Sequence, residues 1–379
     1  MKIAYVSNAL IPSRSANSIH VMKMCQALAE EGHEVRLLAP AYPAKHYDLS
    51  VNDLFEYYHV AEIFQLVKLP APYSSRFLTY LIATYIYSAK IKSFLCSFQP
   101  DLVYGRYLPG CSIAARQGFK TVYEAHGLVW NSTLEGFLFK KIVKNHNYLK
   151  TVVISDALKK LYLDNTTLTH SQITIAHDGS DLLDIDQKTS PWPGRKAKLQ
   201  VGYFGSLYSG RGVELILEVA SLLPDIDFHI VGGSTTDIDR LRQSYAKDNV
   251  FFHGYIAPGN VHTYRNCCDI LLAPYGNKVA VFGGVGDTSS FMSPLKIFEY
   301  MATQKAIVAS DLPVLREILN EANSILVPAD SVQHWQEAIE LLAANPKIRE
   351  ELSKQAFNEF KQKYTWRKRA AHVIEDLGI

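Results

Sequence analysis

A lysine and a glutamate three residues apart stand at the start of a predicted helix, directly after a loop of glycines and serines. The segment, residues 283–301, reads GGVGDTSSFMSPLKIFEYM and puts Lys296 and Glu299 on one helix face. Ser293 is the candidate N-cap, and Pro294 is the first helical residue. A cation near a helix N-terminus is unfavourable unless an anion binds there. Lys296 and free backbone N–H groups therefore suit a diphosphate, and Glu299 suits a ribose diol. The alternative is an ordinary surface ion pair.

A second loop with phosphate-binding character comes earlier, at residues 204–212, and reads FGSLYSGRG. Gly205 and Gly210 allow the backbone to pass close to a ligand, and Arg211 stands at the start of the next predicted helix. Unpaired helix N–H groups and a fixed guanidinium both favour a diphosphate. The alternative for Arg211 is a solvated surface charge. Two further loops that follow strands either approach a ligand or are plain turns, namely residues 231–233 and 254–258.

The elements that must position these loops repeat one pattern of apolar run, polar loop and helical segment. The predicted strands are Ile3–Val6, Glu34–Ala39, Leu102–Tyr104, Thr121–Glu124, Thr151–Ile154, Ile173–Ala176, Gln200–Phe204, Asp227–Val231, Val250–His253, Ile270–Ala273 and Ala306–Ala309. The predicted helices are Ile19–Glu31, Val213–Leu222, Pro294–Ala302, Val332–Ala344 and a last one from about Lys347 to near the C-terminus. Short apolar strands separated by helices indicate parallel sheets covered on both faces. In such doubly wound α/β sheets, ligands bind beyond the carboxyl ends of the strands.

The pattern is interrupted once, over residues 181–198, which carry two prolines, a glycine and mixed charges without an apolar period. We interpret this segment as an interdomain linker. The sequence therefore predicts an N-terminal domain over residues 1–180 and a C-terminal domain over residues 199–360. The C-terminal helix, residues 361–379, is then free to pack back on the N-terminal domain.

Composition narrows the class of protein. Of the 379 residues, 48% are hydrophobic and 20% are charged, which is typical of a soluble globular protein. The formal net charge is only +2, so the chain as a whole lacks the excess of positive charge that is typical of nucleic-acid-binding proteins. The five cysteines lack zinc or redox spacing, so we expect reduced thiols in a cytoplasmic protein. The N-terminus does not resemble a signal peptide, and we predict no metal site.

Two segments are compatible with peripheral contact at the inner face of a membrane. The apolar stretch Phe77–Ala89 is too short to span a bilayer, and its aromatic residues indicate either a buried core helix or a helix on the membrane surface. Residues 140–150, KKIVKNHNYLK, are basic with interleaved apolar residues. They form either a solvated charged helix or a contact for anionic lipid.

Seven stretches, taken in chain order, resemble the retaining glycosyltransferases of the large family four (glycosyl transferases group 1). They are HVMKMCQALAEEGHEVRLLAP, TVYEAHGL, VVISDALKKLY, ITIAHDGSD, YFGSLYSGRGVELILEVASLLPDIDFHIVGG, DNVFFHGYIAPGNVHTYRNCCDILLAPY and SPLKIFEYMATQKAIVASDLPVLREI. The resemblance covers nearly the whole chain. It implies the GT-B fold, in which two Rossmann-like doubly wound domains face each other across a cleft.

The resemblance also implies an activity. A hexosyltransferase-type enzyme of this family moves a sugar from a nucleotide-diphosphate sugar to an acceptor hydroxyl, with retention of anomeric configuration. Such enzymes serve glycan, polysaccharide or glycolipid biosynthesis, so a glycan or a lipid-linked acceptor is expected. No cofactor and no essential metal are implied, and no Asp-X-Asp metal motif stands in a convincing loop.

Residue roles follow from the same resemblance. The catalytic set is His126, Arg211 and Lys296. The donor-binding set is Gly205, Ser206, Arg211, Gly233, Tyr255, Ile256, Asp287, Ser293, Pro294, Leu295, Lys296 and Glu299. Within it, Arg211 and the backbone amides of residues 293–296 meet the diphosphate, Glu299 binds the ribose, and Tyr255 and Ile256 hold the base. The acceptor-binding set is Ser15, Asn17, His20, Arg106 and His126. The alternative for His126 is a packed, hydrogen-bonded histidine at a strand end.

The chain departs from the family pattern at two positions. Phe291 stands where the family usually has a first glutamate, and Asp287 is the nearest candidate to replace it. Ser206 replaces the usual arginine of the first loop. These changes leave open a catalytically inactive nucleotide-sugar-binding protein, and the same fold also admits a sugar-nucleotide epimerase. A glycoside phosphorylase is disfavoured because no pyridoxal phosphate lysine motif is evident. A dehydrogenase is disfavoured because the first strand is followed by SNALIPS and not by a glycine fingerprint.

Overall fold

The computed structural model describes residues 1–43, 47, 51–72, 77–188, 192–195, 198–208, 210–245, 247–280, 287–375 and 377. Contacts divide the chain into two compact units. Unit 1 comprises Met1–His177 and Trp366–Ile379, and unit 2 comprises Asp178–Thr365. The end of the chain therefore belongs to the first unit.

Unit 1 is built on a seven-stranded parallel sheet. Its strands are β1 (Lys2–Val6), β2 (Glu34–Ala41), β3 (Gln65–Pro70), β4 (Leu102–Gly105), β5 (Thr121–Ala125), β6 (Tyr148–Val153) and β7 (Ile173–Ile175). Its helices before the chain leaves for unit 2 are α1 (Ala16–Glu30), α2 (Leu54–Tyr58), α3 (Phe77–Phe98), α4 (Leu108–Arg116), α5 (Thr133–Ile142) and α6 (Asp156–Asn165). The strand order is β3-β2-β1-β4-β5-β6-β7, so the chain reverses direction along the sheet between β1 and β4.

Unit 2 holds a six-stranded parallel sheet of order β10-β9-β8-β11-β12-β13. The strands are β8 (Gln200–Phe204), β9 (Asp227–Val231), β10 (Val250–Gly254), β11 (Ile270–Ala273), β12 (Ala306–Ser310) and β13 (Ile325–Val327). The helices are α7 (Val213–Leu222), α8 (Thr235–Tyr245), α9 (Val261–Arg265), α10 (Leu295–Ala302), α11 (Val332–Ala344) and α12 (Pro346–Lys363). The last helix, α13 (Trp366–Ile374), lies in unit 1 and packs against α1.

Two parallel sheets, each covered by helices, confirm the predicted α/β doubly wound class. The pattern missed the edge strands β3 and β13, because β3 mixes lysine and glutamine with its apolar residues and β13 has only three residues. The single helix predicted from Lys347 onward is in fact two helices. They are separated at Tyr364 and Thr365, where Ser180 pairs with Thr365.

The segment predicted as a linker clusters with unit 2 in its described residues. The Trp192 ring stacks on the His253 ring, with centroids 4.9 Å apart. The Arg195 backbone N–H donates to Asp227 Oδ2 at 2.6 Å, and the Arg195 side chain donates to the same buried carboxylate. Proline and glycine make this segment irregular, and these side-chain contacts still attach it to unit 2.

Candidate functional site

Each unit has one topological switch point, between β1 and β4 in unit 1 and between β8 and β11 in unit 2. In open α/β sheets the crevice at the carboxyl ends of such strands is where ligands bind. The loop that follows β8 carries Arg211, and the residues that follow β11 include Tyr275. These segments are joined by a hydrogen bond from the Gly276 N–H to the Gly210 carbonyl at 2.9 Å. The fold therefore brings the first predicted diphosphate loop to the switch point of unit 2.

Arg211 and Lys296, the two catalytic cations predicted for unit 2, come together over two tyrosine rings. Lys296 Nζ lies 3.8 Å from the ring centroid of Tyr203 and 5.1 Å from that of Tyr275. Arg211 Cζ lies 5.5 Å from the Tyr275 centroid. We call Arg211 and Lys296 the cation pair. Aromatic faces stabilise cations partially, because the ring quadrupole is negative there, but they leave the positive charge uncompensated.

Lys296 is almost fully buried, with 8% of its surface exposed. Burial lowers the pKa of Lys296 well below its usual range, and the nearby positive charge of Arg211 lowers it further. Arg211 Nε is also buried, and no hydrogen-bond partner for it exists among the described residues. The more distant Glu299 carboxylate offsets only part of the lowering of the Lys296 pKa, and no carboxylate among the described residues lies within ion-pair distance of either cation. Binding of an anion next to the cation pair would therefore be electrostatically favourable.

Two glycines let the backbone pack closely around the cation pair. Gly205 follows β8, and a Cβ built on it would lie 3.1 Å from Lys296 Nζ. Gly212 precedes α7 with a φ of +71°, and a Cβ there would lie 1.7 Å from the Pro274 carbonyl oxygen. A side chain at Gly212 would separate the two loops, and at Gly205 a φ of +147° is one that L side chains rarely adopt.

The helix that carries Lys296 begins one residue later than the sequence suggested. α10 starts at Leu295 with Pro294 as its N-cap, so the assignment of Ser293 as N-cap was wrong. Ser293 Oγ instead accepts the Asp178 backbone N–H at 2.9 Å, which engages the hydroxyl away from the helix end. Pro294 offers no side-chain cap. The first N–H groups of α10 are therefore not satisfied by a capping side chain, as an anion-binding helix end requires.

Glu299, the predicted ribose ligand, pairs with a residue that the sequence did not indicate. Arg265 Nη1, on α9, lies 3.0 Å from Glu299 Oε2. The Arg265 side chain is 4% exposed and the Glu299 side chain is 31% exposed, so the carboxylate reaches solvent while its cation stays buried. The surface pair between Lys296 and Glu299 is not formed. The ion pair with Arg265 fixes the position of the Glu299 carboxylate, and the exposed part of that carboxylate can still accept hydrogen bonds.

The other predicted donor residues lie at loop positions of unit 2. Gly233 follows β9 with a φ of +78°, and Tyr255 and Ile256 follow β10 half-buried. Ser206 is exposed. Asp287 is exposed and uses one oxygen to accept the Val279 and Ser289 backbone N–H groups, each at 2.9 Å. Residues 283–286 of the glycine loop lie outside the described residues.

The predicted acceptor residues of unit 1 surround the carboxyl ends of β1, β4 and β5. Ser15 is the N-cap of α1 and accepts the Ser18 N–H at 3.2 Å. Asn17 Oδ1, in the first turn, is buried without a hydrogen-bond partner among the described residues. Arg106 follows β4. Burial is the main cause of the lowered pKa of His126, and the positive charge of Arg106 lowers it further. His20, Arg106 and His126 are therefore neighbours.

A buried carboxylate, Glu124, organises this end of unit 1. His20 Nε2 lies 2.7 Å from Glu124 Oε1, and His126 Nε2 and the Tyr104 hydroxyl form hydrogen bonds to the same carboxylate. Arg369, on α13, donates from Nη2 to Glu124 Oε1 at 3.0 Å. We call these five residues the Glu124 cluster. Burial by itself would raise the pKa of Glu124. The charge of Arg369 and the histidine hydrogen bonds hold it well below its usual range.

His20, Glu124 and His126 also satisfy the spacing of a metal site, because one ligand atom from each lies within 4.8 Å of the others. Arg369 already donates to Oε1 of Glu124, the oxygen that such a metal would need, and the Tyr104 hydroxyl donates to Oε2. A divalent ion there would lie against a buried cation. The donor set therefore fits a hydrogen-bonded ion cluster better than a metal centre.

Three residues of the candidate site were not predicted from the sequence. Arg265, Glu124 and Arg369 have no motif of their own, and the sequence placed none of them in a site. The one available signal was the alternation along β5, which sends Glu124 and His126 to the same face of the sheet. For Arg369 no local pattern existed, since its partner Glu124 is 245 positions away.

Comparison with protein families gives two matches, one in each half of the chain. Residues 18–182 match the model described as Glycosyltransferase Family 4, and residues 198–345 match the model described as Glycosyl transferases group 1. Together the two matches cover most of the sequence. A search of curated proteins found no match.

Solved structures of the same architecture cover almost the whole chain. Sucrose-phosphate synthase from Thermosynechococcus elongatus has a TM-score of 0.72 and 18% identity, covering 98% of this chain and 97% of that one. HepE from Anabaena in complex with UDP and glucose has a TM-score of 0.70 and 16% identity, covering 100% and 99%. WaaG, a glycosyltransferase involved in lipopolysaccharide biosynthesis, has a TM-score of 0.64 and 14% identity, covering 99% and 100%. At these identities the similarity shows the fold.

Proposed function

Because this chain belongs to the family 4 glycosyltransferases (glycosyl transferases group 1), we propose that it transfers a sugar from a nucleotide-diphosphate sugar to an acceptor hydroxyl with retention of configuration and without an essential metal. Unit 2 would bind the donor, and unit 1 would bind the acceptor. HepE, a structural relative, is described in complex with UDP-glucose, which supports a nucleotide-sugar donor for this chain as well.

The observation that carries the proposal is the cation pair. Lys296 is buried without a carboxylate partner among the described residues, and Arg211 has a buried Nε without a hydrogen-bond acceptor there. A buried cation without a partner is unfavourable, so Lys296 holds its proton only weakly until an anion binds. A diphosphate supplies the missing charge and the missing acceptors. Glu299, held by Arg265 one helical turn along α10, stands where a ribose diol would follow the diphosphate.

The proposed reaction places little covalent chemistry on the protein. The acceptor hydroxyl attacks the anomeric carbon on the face from which the diphosphate leaves. The bond from carbon to phosphate oxygen breaks as the new glycosidic bond forms, and the departing phosphate oxygen takes the hydroxyl proton. Arg211, Lys296 and the N–H groups at the start of α10 would stabilise the negative charge that develops on the leaving group. Charge stabilisation of this kind requires no metal.

The donor half of the proposal is tested with binding measurements on UDP, GDP, ADP and their sugar conjugates. One nucleotide series should raise the melting temperature selectively, and EDTA should leave that shift unchanged. Transfer to a candidate acceptor is then followed by NMR of the anomeric proton, which reports retention or inversion. No stabilisation by any nucleotide would contradict the donor site, and inversion or loss of activity in EDTA would contradict the mechanism.

A second candidate function is a nucleotide-sugar-binding protein that performs no transfer. It is favoured by Phe291, which is 5% exposed and puts a buried phenyl ring where the family usually has a glutamate. This candidate predicts donor binding with neither transfer nor slow donor hydrolysis. Measurable hydrolysis of the bound nucleotide sugar without acceptor, lost in Lys296→Met, would exclude it.

For the acceptor we propose a glycan on a lipid carrier, reached through contact of α3 with an anionic membrane. One face of α3 packs in the core of unit 1 through Tyr87, Ile91 and Leu95. The opposite face is apolar yet exposed, with Ile82 58% and Tyr85 76% exposed. The segment thus combines the two interpretations that its sequence left open, a core helix and a surface helix.

The charges on α3 favour an anionic lipid surface as the partner of its exposed apolar face. The helix has no acidic residue, and the exposed Lys90 and Lys92 flank its exposed apolar face on both sides. Apolar residues between lysines are typical of helices that lie in the headgroup region of anionic lipid. No helix among the described residues is both long and apolar enough to cross a bilayer.

Vesicle co-sedimentation tests this contact. The protein should bind phosphatidylglycerol vesicles at low salt and not phosphatidylcholine vesicles, and the double variant Ile82→Ser/Tyr85→Ser should lose most of the binding. Ile63→Ser is the matched control, because Ile63 is also apolar and 50% exposed but lies outside α3. Equal binding by both variants, or no binding by the unaltered protein, would contradict the membrane contact.

A further inference from the structure

The Glu124 cluster surrounds one buried carboxylate with four side chains that carry N–H or O–H groups. Glu124 is 1% exposed overall, and its side chain is fully buried. Its two oxygens accept hydrogen bonds from Tyr104, His126 and Arg369, and His20 lies against one of them. Of these partners, His126 keeps 18% of its side chain exposed. A buried, ionised carboxylate therefore touches a partly exposed imidazole at the carboxyl end of β5.

Arg369 supplies the charge that keeps this carboxylate ionised. Its Nη2 and Nη1 donate to Glu124 at 3.0 and 3.3 Å, in a fork that fits a carboxylate. Its Nε donates to the His177 carbonyl at 2.9 Å, and Nη2 also donates to the Ala176 carbonyl at 3.2 Å. These contacts fix the guanidinium from three directions. The C-terminal helix α13 thus places a buried cation behind Glu124.

The carboxylate in turn decides which ring nitrogen of His126 carries the proton. An ionised carboxylate only accepts hydrogen bonds, so the His126 Nε2 that faces it must be protonated. Burial first, and the charge of Arg106 next, lower the pKa of His126 to about 3, so the ring is neutral near pH 7. A neutral imidazole has one N–H. With that proton on Nε2, Nδ1 carries a lone pair.

We propose that Glu124 and Arg369 are positioning residues that hold His126 as its Nε2–H tautomer, so that Nδ1 accepts a hydrogen bond from a hydroxyl of the bound substrate. The inference rests on the proposed function and deepens it, because it assigns the acceptor half of the site a hydrogen-bond acceptor of defined orientation. The T-shaped contact of His126 with His20, at 4.7 Å between centroids, restrains the ring from the side. The other tautomer would present an N–H to the substrate hydroxyl, which could then only accept, and the hydroxyl proton would have no acceptor at this position.

Two paired variants separate this role from structural support. Glu124→Leu/Arg369→Met removes both buried charges together, so no unpaired ion is left in the core. Glu124→Gln/Arg369→Met also removes both charges, but its amide oxygen still accepts from His126 Nε2. The matched control is Arg367→Gln. Arg367 also lies on α13 and pairs with a glutamate, Glu31, but its side chain is 67% exposed.

The first readout uses the protein alone, labelled with ¹⁵N-histidine, and His126→Asn assigns the signal. In the unaltered protein and in Arg367→Gln, His126 should show a proton on Nε2 that exchanges slowly with water and an unprotonated Nδ1. In the leucine variant that proton should exchange too fast to be observed, and both nitrogen shifts should move towards averaged values. In the glutamine variant, the exchange rate of this proton and the nitrogen shifts should lie between those of the unaltered protein and of the leucine variant. A proton on Nδ1 in the unaltered protein would overturn the proposal, whether or not any substrate binds.

The second readout is turnover. The leucine variant should lose about tenfold or more in kcat with an unchanged KM for the donor, which binds in unit 2, and the glutamine variant should recover part of the loss. Turnover equal to that of Arg367→Gln would overturn the positioning role. If the leucine variant does not fold, the histidine signal of the unaltered protein decides, because a proton on Nδ1 there refutes the proposal without any variant. Absence of any transfer by the unaltered protein would refute the proposed function and leave the tautomer measurement intact.

Discussion

Binding of a nucleoside diphosphate should protonate Lys296. In the ligand-free protein, burial and the neighbouring Arg211 hold the pKa of Lys296 well below the ordinary lysine range. A diphosphate within hydrogen-bond distance reverses this effect, because the opposite charge favours the ammonium form. The pKa of Lys296 therefore rises on binding, and the complex takes up a proton from the buffer.

The size and the sign of the effect follow from linkage. Where the pH lies between the pKa of the free protein and that of the complex, uptake approaches one proton per ligand bound. The association constant then falls by up to about tenfold per pH unit as the pH rises. Above pH 7.5 the diphosphate is already ionised, since the second phosphate ionisation lies near pH 6. The measured protons therefore belong to the protein.

Isothermal titration between pH 7.5 and 9, in buffers of different ionisation enthalpy, measures the uptake directly. Lys296→Arg is the matched control, because a guanidinium stays charged even when it is buried and should bind the diphosphate without taking up a proton. Lys296→Met should weaken binding by about 1.5–3 kcal/mol, roughly ten- to hundredfold. Saturable binding with no proton uptake in the unaltered protein, or equal uptake in Lys296→Arg, would refute the reasoning.

Three further predictions concern unit 2. Glu299→Ala should weaken nucleotide binding by about 1–3 kcal/mol and abolish the preference for ribose over 2′-deoxyribose nucleotides, and an unchanged preference in titrations would remove the assignment. Burial lowers the pKa of His229 to about 3 and of His253 to about 4, so both bind protons more weakly folded than unfolded. The folded protein is therefore favoured above pH 6.5, and its free energy of unfolding falls as the pH drops, by at most about 1.4 kcal/mol per histidine at pH 5.5. In urea unfolding, the variant His229→Phe/His253→Phe should show a smaller change of that free energy with pH. Gly212→Ala should cost about 2 kcal/mol or more, because its Cβ would meet the Pro274 carbonyl oxygen at 1.7 Å. Gly254→Ala has the same φ of +71° and only an ordinary contact with Ile238 at 3.8 Å, so it should cost about 1 kcal/mol. If Gly212→Ala and Gly254→Ala lowered the denaturant midpoint of unfolding equally, the predicted clash at Gly212 would be refuted.

The local parts of the fold and of the donor site were readable in the sequence. Apolar runs, helical spacing and glycine positions predicted both sheets, the loop at residues 204–212 and the helix that carries Lys296. Such features depend on residues that are close in the chain, so their periodicity is visible without tertiary structure. Parallel strands also place their following loops at one edge of a sheet. It was the resemblance to the glycosyltransferase family that assigned Arg211 and Lys296 to one diphosphate site before any distance was known.

Tertiary structure decided the charge state and the orientation of those residues. Whether the Lys296 amine is solvated or buried depends on the rings of Tyr203, on β8, and of Tyr275, which follows β11. Ser293 ceased to be a helix cap because Asp178, 115 positions earlier, engages its hydroxyl. Arg369 reaches Glu124 across 245 positions. Contacts between residues so far apart leave no local period in the chain, and burial, which sets the pKa values here, exists only once the chain has folded.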